Sequence, residues 1–132
     1  MKRILLLTLF AVIALFSCSK DKQQIYQLFN NSDGNMYYVC ILEYSGNDVV
    51  KEVNIEGDNL RTFEKGLKSD VFIAGERTDK VKISFKKYND FVAYALGVSN
   101  PTYFTVSTFY LERGKLTTIE IVNSTKISTS RN

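Results

Sequence analysis

The chain carries fourteen acidic side chains, two cysteines and no histidine in 132 residues. Without imidazole it lacks the commonest general base, proton shuttle and metal ligand. Histidine-dependent serine or cysteine triads are excluded, and so are typical zinc sites. Carboxylate chemistry remains open. Glu43, Glu52, Glu64, Asp70, Glu112 and Glu120 are the groups from which a glycosidase-like acid and base would be drawn. Such a pair must sit roughly 5–10 Å apart, and nothing in their spacing brings two of them together. Solvated strand faces and turns are the plainer expectation for them. Cys40 lies in the run Met36-Tyr37-Tyr38-Val39-Cys40-Ile41-Leu42. Those neighbours offer no cation to hold a thiolate, so Cys40 is expected to be a small, inert, buried hydrophobe. Asn31-Ser32-Asp33-Gly34-Asn35 invites a calcium loop. Setting Gly34 at the glycine position puts Phe29 first and Cys40 last, where that loop needs acidic oxygens. The segment therefore reads as a turn. A lone cation at Asp33 or Asp58 has no further support, and no cofactor is expected.

Cys18 closes a different pattern. Lys2 and Arg3 precede an apolar run from Ile4 to Phe16, followed by Ser17. Thirteen helical residues span about 20 Å, against a hydrocarbon core of about 30 Å. The segment thus reads as a cleavable export signal. Leu15-Phe16-Ser17-Cys18 resembles the lipobox of bacterial lipoproteins, with Phe16 where that motif usually carries a smaller residue. The resemblance implies a diacylglycerol on the Cys18 sulfur, cleavage just before it, and acylation of the new amino terminus with a chain such as palmitate. Each buried CH2 contributes about 0.8 kcal/mol, and stable anchoring takes more than one chain; a multiply acylated cysteine meets that need. Two other outcomes share these residues. Ser17-Cys18-Ser19 also fits an ordinary small-x-small site, and a cut after Ser19 releases a soluble protein. An uncut segment would be an amino-terminal anchor. Lipidation leaves Cys40 unpaired; its rival is a Cys18–Cys40 disulfide in an oxidising compartment. Ser19 stands where many lipoproteins carry an inner-membrane aspartate. The resemblance therefore implies the outer membrane, facing the periplasm or the cell surface.

Removing residues 1–17 from 132 leaves 115, the size of one domain. Residues 18–24 form the lipidated cysteine and a short polar tether, and 25–132 a single domain. Seventeen basic residues less Lys2 and Arg3 leave fifteen, against fourteen acidic ones. That near-neutral balance gives no argument for a nucleic-acid partner.

From Ile25 onward the pattern is β. Tyr, Phe, Val, Ile and Thr recur between turn clusters. Strands are expected near Gln24–Asn30, Met36–Tyr44, Val49–Ile55, Leu60–Glu64, Asp70–Ala74, Lys80–Lys87, Tyr103–Leu111 and Leu116–Val122. Turns fall at Asn31–Asn35 (with a glycine for positive φ), Ser45–Asp48, Glu56–Asn59 and Lys65-Gly66. Arg113-Gly114 reads as a tight hairpin. Val81, Ile83 and Phe85 alternate with polar residues, as a half-buried strand requires. Met36–Tyr44 is apolar on both faces until Glu43, which makes it central. Phe91–Gly97 fits either a buried strand or a helical turn. Many short strands, one proline and no clear amphipathic helix give an all-β fold, an antiparallel β-sandwich of about seven to nine strands. The Gly57–Phe63 turn-strand and the closing Phe109–Val122 segment resemble the immunoglobulin-like or transthyretin-like sandwiches of exported bacterial proteins. The immunoglobulin Cys…Trp…Cys signature is absent, since the chain has no tryptophan.

Paired aromatics put one ring on each face of a strand. Tyr38, Tyr94, Tyr103 and Tyr110 are the candidates for outward rings that stack on sugars or anchor a protein partner. The alternative is burial of both faces. Lys80, Lys82, Lys86 and Lys87, with Arg77, form a basic stretch suited to anionic headgroups or acidic glycans. Its plainer reading is a solvated face, or lysines that block edge-to-edge pairing. Together these features predict a lipid-anchored, non-enzymatic binding or assembly module with an envelope protein or glycan as partner. The alternatives are a small envelope enzyme using paired carboxylates and an accessory lipoprotein with a structural role.

Overall fold

A computed structural model describes residues 23–55 and 61–131. The export segment, Cys18, the tether as far as Lys22, and Gly57 with Asp58 lie outside the described residues.

The described chain is an all-β sandwich of two sheets. Its strands are β1 (Ile25–Asn30), β2 (Met36–Ser45), β3 (Asp48–Asn54), β4 (Thr62–Phe63), β5 (Phe72–Ile73), β6 (Lys80–Lys86), β7 (Tyr103–Thr105), β8 (Phe109–Tyr110), β9 (Leu116–Ile121) and β10 (Ile127–Ser128); one helix, α1 (Asp90–Leu96), follows β6. The small sheet has the order β5-β1-β9. The large sheet runs β10-β7-β6-β2-β3, with β4 on β2 and β8 on β6. Among the described strands every pairing is antiparallel except β1 with β9, which run parallel from Ile25↔Leu116 to Asn30↔Ile121.

Period-2 alternation builds the core. Tyr26 and Leu28 of β1 and Ile119 and Ile121 of β9 point inward from the small sheet. They meet Val39 and Ile41 of β2 and Val81, Ile83 and Phe85 of β6. Met36 and Val39 are both buried, although residues three apart on a regular strand face opposite ways. A bulge reconciles them. The β2–β6 register shifts between Tyr37 and Cys40, and the extra residue, Tyr38, takes φ 51°. The expected Arg113-Gly114 hairpin does not form. β8 pairs with β6 in the large sheet and β9 with β1 in the small one, so this turn carries the chain between sheets.

The outer face of β2 is covered by the chain's own end. Lys82 Nζ donates to the Arg131 carbonyl at 3.2 Å, and the Arg131 guanidinium lies 3.7 Å from Glu52 on β3. Residues 129–131 therefore cross from β10 over β6 and β2, and Leu42 and Tyr44 are buried on that side. Cys40 shares this outer face and is only half-buried, not in the core as expected. Burial, followed by the nearby Glu52 carboxylate, pushes its thiol pKa up. An upward shift disfavours the thiolate a nucleophile needs.

Glu43, on β2's inner side, is fully buried between the sheets. Tyr26 Oη donates to Oε2 at 2.7 Å; the Gly75 N–H and the Thr78 hydroxyl each donate to Oε1 at 2.8 Å. Residue 75 is glycine where space is short, because a Cβ there would sit 3.3 Å from Thr78 Oγ1 and 3.6 Å from Glu43 Oε1. Burial, then the hydrogen bond to Glu43, pushes the Tyr26 phenol well above its ordinary range. Below pH of about 10 the phenol is protonated in both folded and unfolded chains, and its contribution is complete. At higher pH the unfolded chain releases a proton that the folded one holds, so stability falls by about 1.4 kcal/mol per pH unit. Tyr26→Phe is expected to cost about 1.5–3 kcal/mol at neutral pH and to flatten that alkaline decline. Urea unfolding at several pH values between 8 and 11.5 checks both; an equally steep decline in the variant would show that Tyr26 is not its source.

Candidate partner-contact surface

β1 gives the sandwich a direction. At its start the Gly114 N–H donates to the Gln23 carbonyl at 3.0 Å, so the amino-terminal segment enters beside the 112–115 turn. At its finish, Asn30 lies beside Ile121. Around that second end the loops 31–35 and 122–126, the end of β6 and α1 come together.

A cleft of 470 Å³ opens there. Met36, Phe85, Ile121 and Ile127 give it an apolar floor; Tyr37, Tyr88, Lys87, Asn35 and Asn123 form its rim. The volume falls in the range of small-ligand sites, which also pair apolar walls with a few polar groups. The rim is held by hydrogen bonds. Asp33 N–H donates to Asn123 Oδ1 at 2.8 Å, and Asn123 Nδ2 returns a bond to Asp33 Oδ2 at 2.6 Å. Buried Asn30 fixes the same loop: its amide donates to the carbonyls of Gly34 and Phe63, and its Oδ1 accepts from the Ser32 N–H and hydroxyl. The expected turn is thus opened as an Asx turn by the residue just before it, Asn30. Gly34 does not need positive φ.

Beside the cleft, α1 projects apolar side chains into solvent. Asn89 caps it by accepting the Val92 N–H at 2.7 Å, Asp90 complements the first turn, and Gly97 ends it at φ 64°, in the arrangement favoured at helix termini. Ala93 is buried. Phe91 is 78% exposed, Tyr94 88% and Leu96 64%. Phe91 and Tyr94, three residues apart, lie on one side of the helix, and Leu96 on another.

The four candidate tyrosines do not form one patch. Tyr94 is on α1. Tyr103 is half-buried, its ring 6.2 Å from Phe85 and 4.9 Å from Lys87 Nζ, which joins it to the cleft floor. Tyr38 is half-buried at the bulge under the Arg61 guanidinium, 5.3 Å from the ring centroid. Tyr110 is 70% exposed but pairs with Lys80 at the opposite end of β6. Tyr37, Tyr88, Lys87, Asn35 and Asn123 escaped singling out as rim residues. Tyr37, Lys87 and Asn35 carried a signal, the first in the adjacent Tyr37-Tyr38 pair, the second in the basic run and the third in the Asn31–Asn35 turn; Tyr88 and Asn123 carried none.

The lysines do not guard an edge, because β6 lies between β2 and β7. Lys80 sits over Tyr110, Lys82 bonds Arg131, Lys86 donates to the Asn100 carbonyl at 2.8 Å, and Lys87 sits over Tyr103. Of the candidate carboxylates Glu43 is interior. Glu52, Glu64, Asp70, Glu112 and Glu120 are exposed on β3, on β9 and in the loops between strands. Among the described residues no three His, Cys, Asp or Glu side chains cluster as a metal site requires. No described helix is long and apolar enough to cross a membrane. No protein-family model, curated protein or solved structure matches the chain.

Proposed function

We propose that the chain is a lipid-anchored, non-enzymatic binding module of the bacterial cell envelope, held by acyl chains on Cys18 and binding its partner at the α1 end of the sandwich. One observation carries this reading. The amino-terminal segment enters at one end of β1, while the cleft and the exposed rings of α1 lie at the other. A protein tethered at the Ile25 end would hold its open cleft and apolar helix away from the membrane, toward a partner. Cys18 supplies the anchor in this reading, through the lipobox resemblance of Leu15-Phe16-Ser17-Cys18.

Two measurements test the halves separately. Intact mass of the membrane-extracted protein is expected to show an acylated Cys18 amino terminus; a free Ser19 or Lys20 terminus would refute the anchor. Crosslinking in intact envelopes, followed by pull-down, is expected to recover a protein or glycan partner. Phe91→Ala with Tyr94→Ala is expected to cut recovery at least tenfold, since exposed aromatic anchors dominate such contacts. The rings are solvent-exposed, so unfolding should be unchanged. Undiminished recovery would remove the α1 end as the contact.

A further inference from the structure

We propose that the opposite end of the sandwich is itself a lipid-contact surface, on which Leu116, Ile73 and the Arg113–Lys115 turn rest against phospholipid headgroups. This rests on the lipid anchor just argued. From Cys18 to Gln23 is five residue steps, which reach at most about 18 Å when fully extended. Gln23 is bonded to Gly114. An acylated Cys18 therefore keeps the 112–115 turn within that distance of the bilayer.

The residues at this end suit the contact. Ile73, Ile25 and Leu116 stand side by side in one cross-strand row of the small sheet, on its outer side. Ile73 is 50% and Leu116 46% exposed; the other outward apolar residue of β1, Phe29, is half-buried under Lys68 at the far end of the strand. Arg113 and Lys115 flank Gly114 and are exposed; Glu112 offsets one of these charges, 3.4 Å from Lys115. Glu76, Arg77 and Asp79 add two negative charges and one positive in the neighbouring turn, and Lys80 beside it adds another positive one. The end is thus weakly cationic around an apolar row. Such a surface gains most from burying apolar groups at the headgroup boundary and a little from anionic lipid. Tyr110, 70% exposed with Lys80 over its ring, lies on the large sheet at the same end. It adds an amphipathic ring of the kind that settles at interfaces. Along β1 alone the α1 end stands about 20 Å farther out.

The test uses the acylated full chain in vesicles of phosphatidylcholine and phosphatidylglycerol that contain headgroup-nitroxide lipid. A fluorophore is attached at Leu116→Cys or, separately, at Tyr94→Cys, both in a Cys40→Ala background. Quenching of more than half the signal at position 116 and under a tenth at 94 is expected. In the Leu116-labelled chain, Ile73→Asp is expected to reduce that quenching at least twofold while the protein still floats with vesicles. Flotation with equal quenching at both positions, or none at 116, overturns the contact surface but leaves the anchor standing. Failure to float, with no acyl mass on Cys18, overturns the anchor and this surface with it.

Discussion

Glu43→Ala is expected to cost about 3–5 kcal/mol, the largest loss from any single substitution of a polar side chain in this sandwich. The carboxylate accepts from Tyr26, Gly75 and Thr78 inside the core. Truncation leaves those three donors without an acceptor and opens a cavity between the sheets. Glu43→Gln separates these effects from charge. Its amide oxygen keeps the bonds from Gly75 and Thr78, and its amide nitrogen donates to the Tyr26 hydroxyl, which then acts as acceptor. It also removes the cost of holding an ion away from water. Glu43→Gln is therefore expected to stay within about 1.5 kcal/mol of the parent. Urea midpoints for the two variants decide it. Equal losses would mean that the charge, and not the satisfaction of three donors, holds the sheets together.

What could be read in advance follows from how local each signal is. β1, β2, β6 and β9 were legible within a residue or two, because alternation and turn residues lie inside the strand or next to it. The centrality of β2 was legible too, though not its cause: the cover over Leu42 comes from Arg131, at the chain's far end. Glu43 looked like the place where the apolar pattern stopped. Its donors lie 17, 32 and 35 residues away, and no window of sequence shows them together. The segment Phe91–Gly97 was undecidable by periodicity, yet the caps of α1, Asn89 and Gly97, and its first-turn Asp90 were present to be read. Arg113-Gly114 fails as a hairpin for a different reason. A short glycine turn fits a hairpin and a step between sheets equally well, and only the pairing of β9 with distant β1 decides. The cleft was the least legible part, since its floor comes from β2, β6, β9 and β10 and its rim from β2 and three separate loops.

Asn30→Asp is expected to be the second large loss, about 3 kcal/mol or more, and it reaches the cleft as well as the fold. Asn30 is wholly buried and uses both ends of its amide. The nitrogen donates to Gly34 O at 3.0 Å and Phe63 O at 3.1 Å; the oxygen accepts from the Ser32 N–H at 3.2 Å and its hydroxyl at 2.6 Å. An aspartate of the same shape still accepts from Ser32. It turns a donor into an acceptor against two carbonyls, and burial then opposes its ionised form. That sign predicts pH dependence: the variant's deficit relative to Asn30 should shrink as pH falls and the new carboxyl takes up a proton, which can donate to one of the two carbonyls. The loop 31–35 carries Asn35 and Ser32 to the cleft, so amide exchange there should quicken before global unfolding. Hydrogen exchange at pH 5 and pH 8 reads both effects. A deficit that does not change with pH would mean the amide nitrogen's two bonds contribute little and that packing around residue 30 alone holds this end closed.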